Sequence, residues 1–131
     1  MKKLFKIITL LFKNYSPLRI YQIIECNNHF LNGRSLEFGA SINYKKNFST
    51  FVKGKSKFFY SNLDNFQSKK IIPLDLTKKL KIKSNEYNNI LIFNVLEHIN
   101  DHSITFKEIK RIPGVKFLSS KEANSLVVVN K

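Results

Sequence analysis

Apolar positions along this chain recur at two different spacings, and the places where one spacing gives way to the other divide it into elements. Leu4, Ile7, Ile8 and Leu11 fall at helical intervals, so residues 2–13 are expected to form an amphipathic helix. Ser16 followed by Pro17 offers an N-cap hydroxyl and a first-turn proline, which predicts a second helix running to about residue 27. Residues 35–39 read as a buried strand. Tyr44, Phe48, Phe51 and Val52 then stand at i, i+4, i+7 and i+8, one face of a helix that Gly54 can terminate. Residues 57–63 (KFFYSNL) and 70–76 (KIIPLDL) read as a second and a third strand. Residues 89–95 (NILIFNV) are the clearest buried strand. A helix is expected from about Ser103, with Phe106, Ile109 and Ile112 three apart, and Pro113-Gly114 stops it. Residues 115–118 and 126–129 complete the set as short strands.

Strands interleaved with helices predict a single α/β domain with a largely parallel sheet. The link between the second and third strands is short for a crossover helix. Composition supports a packed domain, since 43% of the 131 residues are hydrophobic and there are only three prolines and four glycines.

Charge changes the picture next. The net charge of +14 favours anions as partners: nucleic acid, phosphorylated metabolites or acidic lipid head groups. The lysines are scattered and Asn is abundant, which favours a solvated surface over a nucleic-acid face, and no specific nucleic acid is predicted. Cys26 is the only cysteine, so neither a disulfide framework nor a cysteine-based zinc site is available, and a cytoplasmic setting is the default. The opening MKKLFKIITLLF is interrupted by Lys6, lacks a small-residue cleavage site and is too short for a transmembrane segment. Weak contact with a membrane surface is the membrane role left to it.

With only nine acidic residues in the chain, their positions carry information. Glu37, Asp64, Asp75 and Glu97 fall at or just past the ends of the four predicted strands. In an open α/β sheet, ligands bind in the crevice outside the carboxyl ends of the strands. Acids also end strands and cap helices, and Asp64 and Glu97 fit that role singly; as a set, the four favour a ligand with hydroxyls or amines. Gly39 would allow close approach of the backbone. The dinucleotide fingerprint is absent, because no glycine follows Gly39 at the required spacing.

LEFGAS, NLD, PLDLTKKLKIKSNEYNNILIFNVLEHINDH and FKEIKRI together resemble class I S-adenosylmethionine-dependent methyltransferases of the broad methyltransferase type 11 group, over residues 34–112. The nearest likeness is to small bacterial members that accompany polysaccharide biosynthesis. The resemblance implies a Rossmann-like fold with strand order 3-2-1-4-5, two N-terminal helices over residues 1–30, a cofactor-binding core over 34–112 and shortened strands over 113–131. It implies S-adenosylmethionine as cofactor. Glu37, Gly39 and Ala40 would form the turn at its methionine end, and Asp64 would hold the ribose. Asp75 with Leu76 would lie by the adenine, and Asn94 beneath the sulfonium. The reaction implied is methyl transfer to a small-molecule or saccharide-type acceptor, with His98 as candidate general base for a hydroxyl. Some relatives hold a metal through Glu-x-x-Glu-His here; Asn94 replaces the first glutamate, so no metal site is expected.

Relatives continue beyond the KEIKRI helix, which implies a C-terminally truncated member with a reduced acceptor pocket and an exposed sheet edge open to self-association. A truncated, inactive protein of this fold, and a basic module for nucleic acid or anionic membrane, are the alternatives.

Overall fold

A computed structural model describes the backbone of residues 2–112, 116–119 and 125–129, and the side chains of residues 4–112. Helices α1 (Lys2–Phe12) and α2 (Pro17–Asn28) lead into strand β1 (Phe30–Phe38). Two short 3-10 segments, Tyr44–Lys46 and Phe48–Phe51, precede β2 (Lys53–Asn62). Strands β3 (Ile71–Pro73) and β4 (Asn89–Phe93), a 3-10 turn at Leu96–His98 and helix α3 (Ser103–Arg111) follow. Strands β5 (Lys116–Ser119) and β6 (Ser125–Val129) complete the described elements. The expected helix stop at Pro113-Gly114 and the start of the strand at Val115 lie outside the described residues.

The protein is α/β, with four parallel strands in the order β3-β2-β1-β4 and helices beside them. Those four places are the ones expected. The fifth is taken by β6, antiparallel to β4, and β5 pairs outside β6. The neighbour of β4 is therefore residues 125–129 and not the strand that follows α3. Parallel β2 and β3 are joined through 63–70 by turns alone, with no crossover helix.

Alternation along the central strands builds two cores. Leu31 and Leu91 share one face with Phe93, where α2 (Cys26) and Phe48 cover them. Leu36, Phe38, Ile90 and Ile92 share the other with Leu76, Leu80 and the α3 residues Ile109 and Ile112. All five residues of β4 are buried, as a strand covered on both faces requires. Ser16 caps α2, its hydroxyl accepting from the Arg19 N–H at 3.2 Å, with Pro17 in the first turn.

Residues 44–52 do not form the helix that their spacing predicts. The Asn47 N–H bonds back to the Tyr44 carbonyl in 3-10 fashion at 3.1 Å. The next two N–H groups, of Phe48 and Ser49, go to the Glu37 carboxylate at 2.8 and 2.9 Å, so they are lost to any α-helical ladder. Gly54 is no helix stop either. It lies within β2 opposite Leu31, at φ +111°, where a Cβ would sit 2.0 Å from the Leu31 carbonyl oxygen.

Candidate functional site

The chain runs from β1 to β2 and β3 on one side, then returns to place β4 on the other, so strand order reverses between β1 and β4. At that switch point the carboxyl ends of adjacent strands diverge and leave a crevice. A cleft of about 410 Å³ occupies it, within the usual range of small-molecule sites (~300–1,000 Å³). Its floor is Gly39 after β1 and Asn94 with Val95 after β4. Asn62 and Leu63 close it from β2, and Leu74 to Thr77 form the wall after β3. His98 and Ile99 stand at the opposite rim.

Gly39 has φ +72°, and a Cβ on it would come within 2.4 Å of Val95 Cγ2. The glycine is required by the packing of the two turns against each other as well as by its backbone angle. Asn94 also takes a left-handed conformation (φ +56°), which asparagine tolerates better than most residues. Its Oδ1 accepts from Gln22 Nε2 at 2.7 Å, tying the β4 turn to α2. Gln22 is 1% exposed and its Oε1 has no hydrogen-bond partner among the described residues.

Asp75 is the cleft's carboxylate. Thr77 donates its hydroxyl and N–H to Asp75 Oδ1 at 2.6 and 3.0 Å, and Lys78 Nζ lies 3.1 Å from Oδ2. The Thr77 donors, then Lys78, hold its carboxyl below the usual range, so it is ionised at neutral pH. Leu76 is buried and its carbonyl accepts from the Thr105 hydroxyl at 2.9 Å, which fixes this wall to α3. His98 is 77% exposed and 3.5 Å from Glu97.

A second cavity, about 500 Å³, opens on the α2 side of the same point and shares Gly39 and Asn94 with the first. Lys13, Asn14 and Tyr15 from the turn between α1 and α2, Arg19 of α2, and Lys46 surround it. Arg19 stacks over the Phe48 ring at 3.6 Å and donates to the Lys46 carbonyl. Burial pulls its guanidinium down, with Glu37 pushing back, and it stays charged. Glu37 is 2% exposed at the back of this cavity; burial pushes its carboxyl up, while the Ser49 and Phe48 amides and Arg19 pull it down.

The strand-end residues are thus only partly brought together. Gly39, Asp75, Leu76, Asn94 and His98 line the first cleft. Glu37 points to the other sheet face, beside Leu31 and Leu91, and both its oxygens hold the 48–49 amides. Ala40 is buried, its N–H on the Ser61 carbonyl at 3.0 Å. Asp64 is exposed, is not among the cleft-lining residues although Leu63 before it is, and accepts from the Phe66 N–H at 2.7 Å in a local turn. Asn62, the last residue of β2, does line the cleft, and its side chain donates to the Ala40 carbonyl at 2.9 Å. A search for carboxylates passes over it; its position at a strand end was the available signal. Leu63, Leu74, Thr77, Val95 and Ile99 were likewise missed, being apolar or neutral. Among the described residues, no group of three or more His, Cys, Asp and Glu could hold a metal ion, and no helix is long and apolar enough to cross a membrane. His102 Nε2 lies 2.8 Å from the Leu96 carbonyl, and His29 pairs with Glu25 at 3.3 Å.

Comparison of the chain with protein-family models, with characterised proteins and with solved structures returned no match.

Proposed function

We propose that the chain is a class I methyltransferase-like protein that binds S-adenosylmethionine in the cleft at the ends of its four parallel strands and methylates an acceptor taken into the basic cavity. One observation carries the reading. Gly39 and Asn94, the residues after β1 and β4 at the strand-order reversal, line both cavities, so two ligands would share one boundary.

The residues present fit the cofactor. Leu74, Leu76 and Ile99 offer apolar walls for a flat base, and ionised Asp75 with Asn62 offers partners for hydroxyls and amines. When bound, S-adenosylmethionine supplies an electrophilic methyl group that carries its own leaving group. The chain's part is then alignment and exclusion of water. Gly39 and Asn94 hold the floor through their left-handed backbones. His98 stands at the exposed rim of the cofactor cleft and does not line the basic cavity, so it would serve as base only for an acceptor hydroxyl that reaches past Gly39 and Asn94 into that cleft. Arg19, with Lys13 and Lys46, suits an acceptor carrying phosphate or carboxylate, such as a charged saccharide derivative. We infer a cytoplasmic setting, in keeping with a lone, buried Cys26 whose thiol burial pushes well up, out of reactive range.

Titration with S-adenosylmethionine by calorimetry tests the reading. Saturable binding is expected, with loss of affinity in Asp75→Ala and Asn62→Ala while the far-ultraviolet spectrum is unchanged. No binding to the folded wild-type chain ends it. Binding without methyl transfer to any charged saccharide acceptor would support the inactive relative instead. Salt-dependent polyanion binding indifferent to both substitutions would support a basic nucleic-acid module.

A further inference from the structure

The outer face of α1 has no role in either cavity. Leu10 of this 11-residue helix is buried, packed with Ile20 and Ile23 of α2, and Ile7 is partly buried beside it. The other apolar residues point away from the domain. Leu4, Ile8 and Leu11 follow at i, i+4 and i+7, and Phe5 and Phe12 flank Ile8 on the same stripe, three residues before it and four after it. Phe5 is 75% exposed and Phe12 84%, with Leu4 at 62%. Five large apolar side chains standing in water on three turns of helix are a contiguous patch of the kind that marks an interaction surface.

Charge says what covers it. The first acidic residue of the chain is Glu25, whereas Lys2, Lys3, Lys6, Lys13 and Arg19 precede it. We propose that α1 is an interfacial helix that docks the domain on an anionic lipid bilayer, with Phe5, Phe12 and the leucines in the headgroup–acyl boundary and the positive charge of the segment attracting the lipid anions. The helix is too short to cross the bilayer and need not do so. A second copy of the chain is the poorer occupant. Pairing two such faces would bring together segments of five positive charges each, with no acid in either to offset them. A bilayer meets both requirements at once, apolar depth and negative charge. Docking does not depend on the cofactor reading, because neither phenylalanine lines the cleft or the cavity.

Vesicle flotation of the full chain tests this. Firm binding is expected to vesicles with about one-third phosphatidylglycerol, little to pure phosphatidylcholine, and weakening with added salt. Phe5→Ser with Phe12→Ser should lower partitioning roughly tenfold or more, because two aromatic anchors are removed from the boundary. Since both side chains are largely exposed, the double variant should keep its circular dichroism and its melting temperature. S-adenosylmethionine binding, if present, should be unchanged. Binding that is indifferent to lipid charge, or undiminished in the double variant, overturns the proposal. So does failure to bind anionic vesicles. A concentration-dependent dimer in sedimentation that the double variant abolishes would assign the face to a second copy and overturn it as well.

Discussion

Replacing Glu108 by glutamine removes a charge without changing shape, at the point where the wall of the cleft is tied to α3. Glu108 is buried, and its two oxygens serve three donors. Oε1 accepts from Arg111 Nε at 3.1 Å; Oε2 accepts from the Leu80 N–H at 3.0 Å and Arg111 Nη2 at 2.5 Å. Arg111 in turn donates to the carbonyls of Ile82 at 2.7 Å and Leu80 at 3.3 Å. Residues 80–82, which continue the 74–77 wall, therefore hang on this pair.

Glutamine has one oxygen to offer, and its amide nitrogen must face at least one donor. A buried donor left without an acceptor costs about 1–3 kcal/mol. Removing one member of a buried ion pair costs about 3–5 kcal/mol when the remaining charge is fully enclosed. Arg111 is 25% exposed and keeps its carbonyl partners, so the upper end is not reached. A loss of about 2–3 kcal/mol in unfolding free energy is expected, read by urea titration followed by circular dichroism because the chain has no tryptophan. The pH dependence adds a second condition. The Arg111 side chain, and then the Leu80 amide, hold the Glu108 carboxyl below its ordinary value of 4.5. A depressed folded value means that the stabilisation is present above the ordinary value and is lost as pH falls through the folded one. The gap between wild type and Glu108→Gln should therefore close in acid. A neutral-pH gap under about 0.5 kcal/mol, or one that persists unchanged to about pH 2, would refute the assignment.

Gly54→Ala should destabilise the chain by on the order of 3 kcal/mol or more, because the new Cβ meets the Leu31 backbone at a positive φ; urea midpoints or loss of soluble protein will show it. Ser16→Ala should cost about 1 kcal/mol through loss of the α2 cap, measured as a shift in melting temperature. Asn94→Ala should destabilise by about 1–2 kcal/mol, from left-handed strain and an unpaired Gln22 amide, whereas Asn94→Gly should recover the strain part; equal losses would show that the backbone angle is unimportant.

Local signals proved sufficient where an element's environment is uniform. β4 is buried on both faces, so its uninterrupted apolar run admits one interpretation. α2 carries its own start signal in Ser16-Pro17, and α3 occupies Ser103–Arg111, much where its three-residue apolar spacing indicated. Gly39 on the cleft floor was legible from its place at the end of β1, whereas Asn94 was implied only by the resemblance.

Residues 44–52 depart from their expected helix because of Glu37. Helical spacing describes which side chains share a face, but it cannot say where backbone N–H groups will find acceptors. A carboxylate eleven residues upstream of Phe48 captures two of them, and it can do so only because β1 alternation turns Glu37 toward the α2 face. Asn62 lines the cleft while Asp64 does not, since the residue that reaches it is set by where β2 stops. Composition and periodicity alone established an α/β domain, its central strands and a strongly basic, apolar-faced N-terminal helix. Which polar groups converge, and which are consumed internally, was settled by strand register and by the need of every buried N–H for a partner, and those conditions arise only once distant segments are packed side by side.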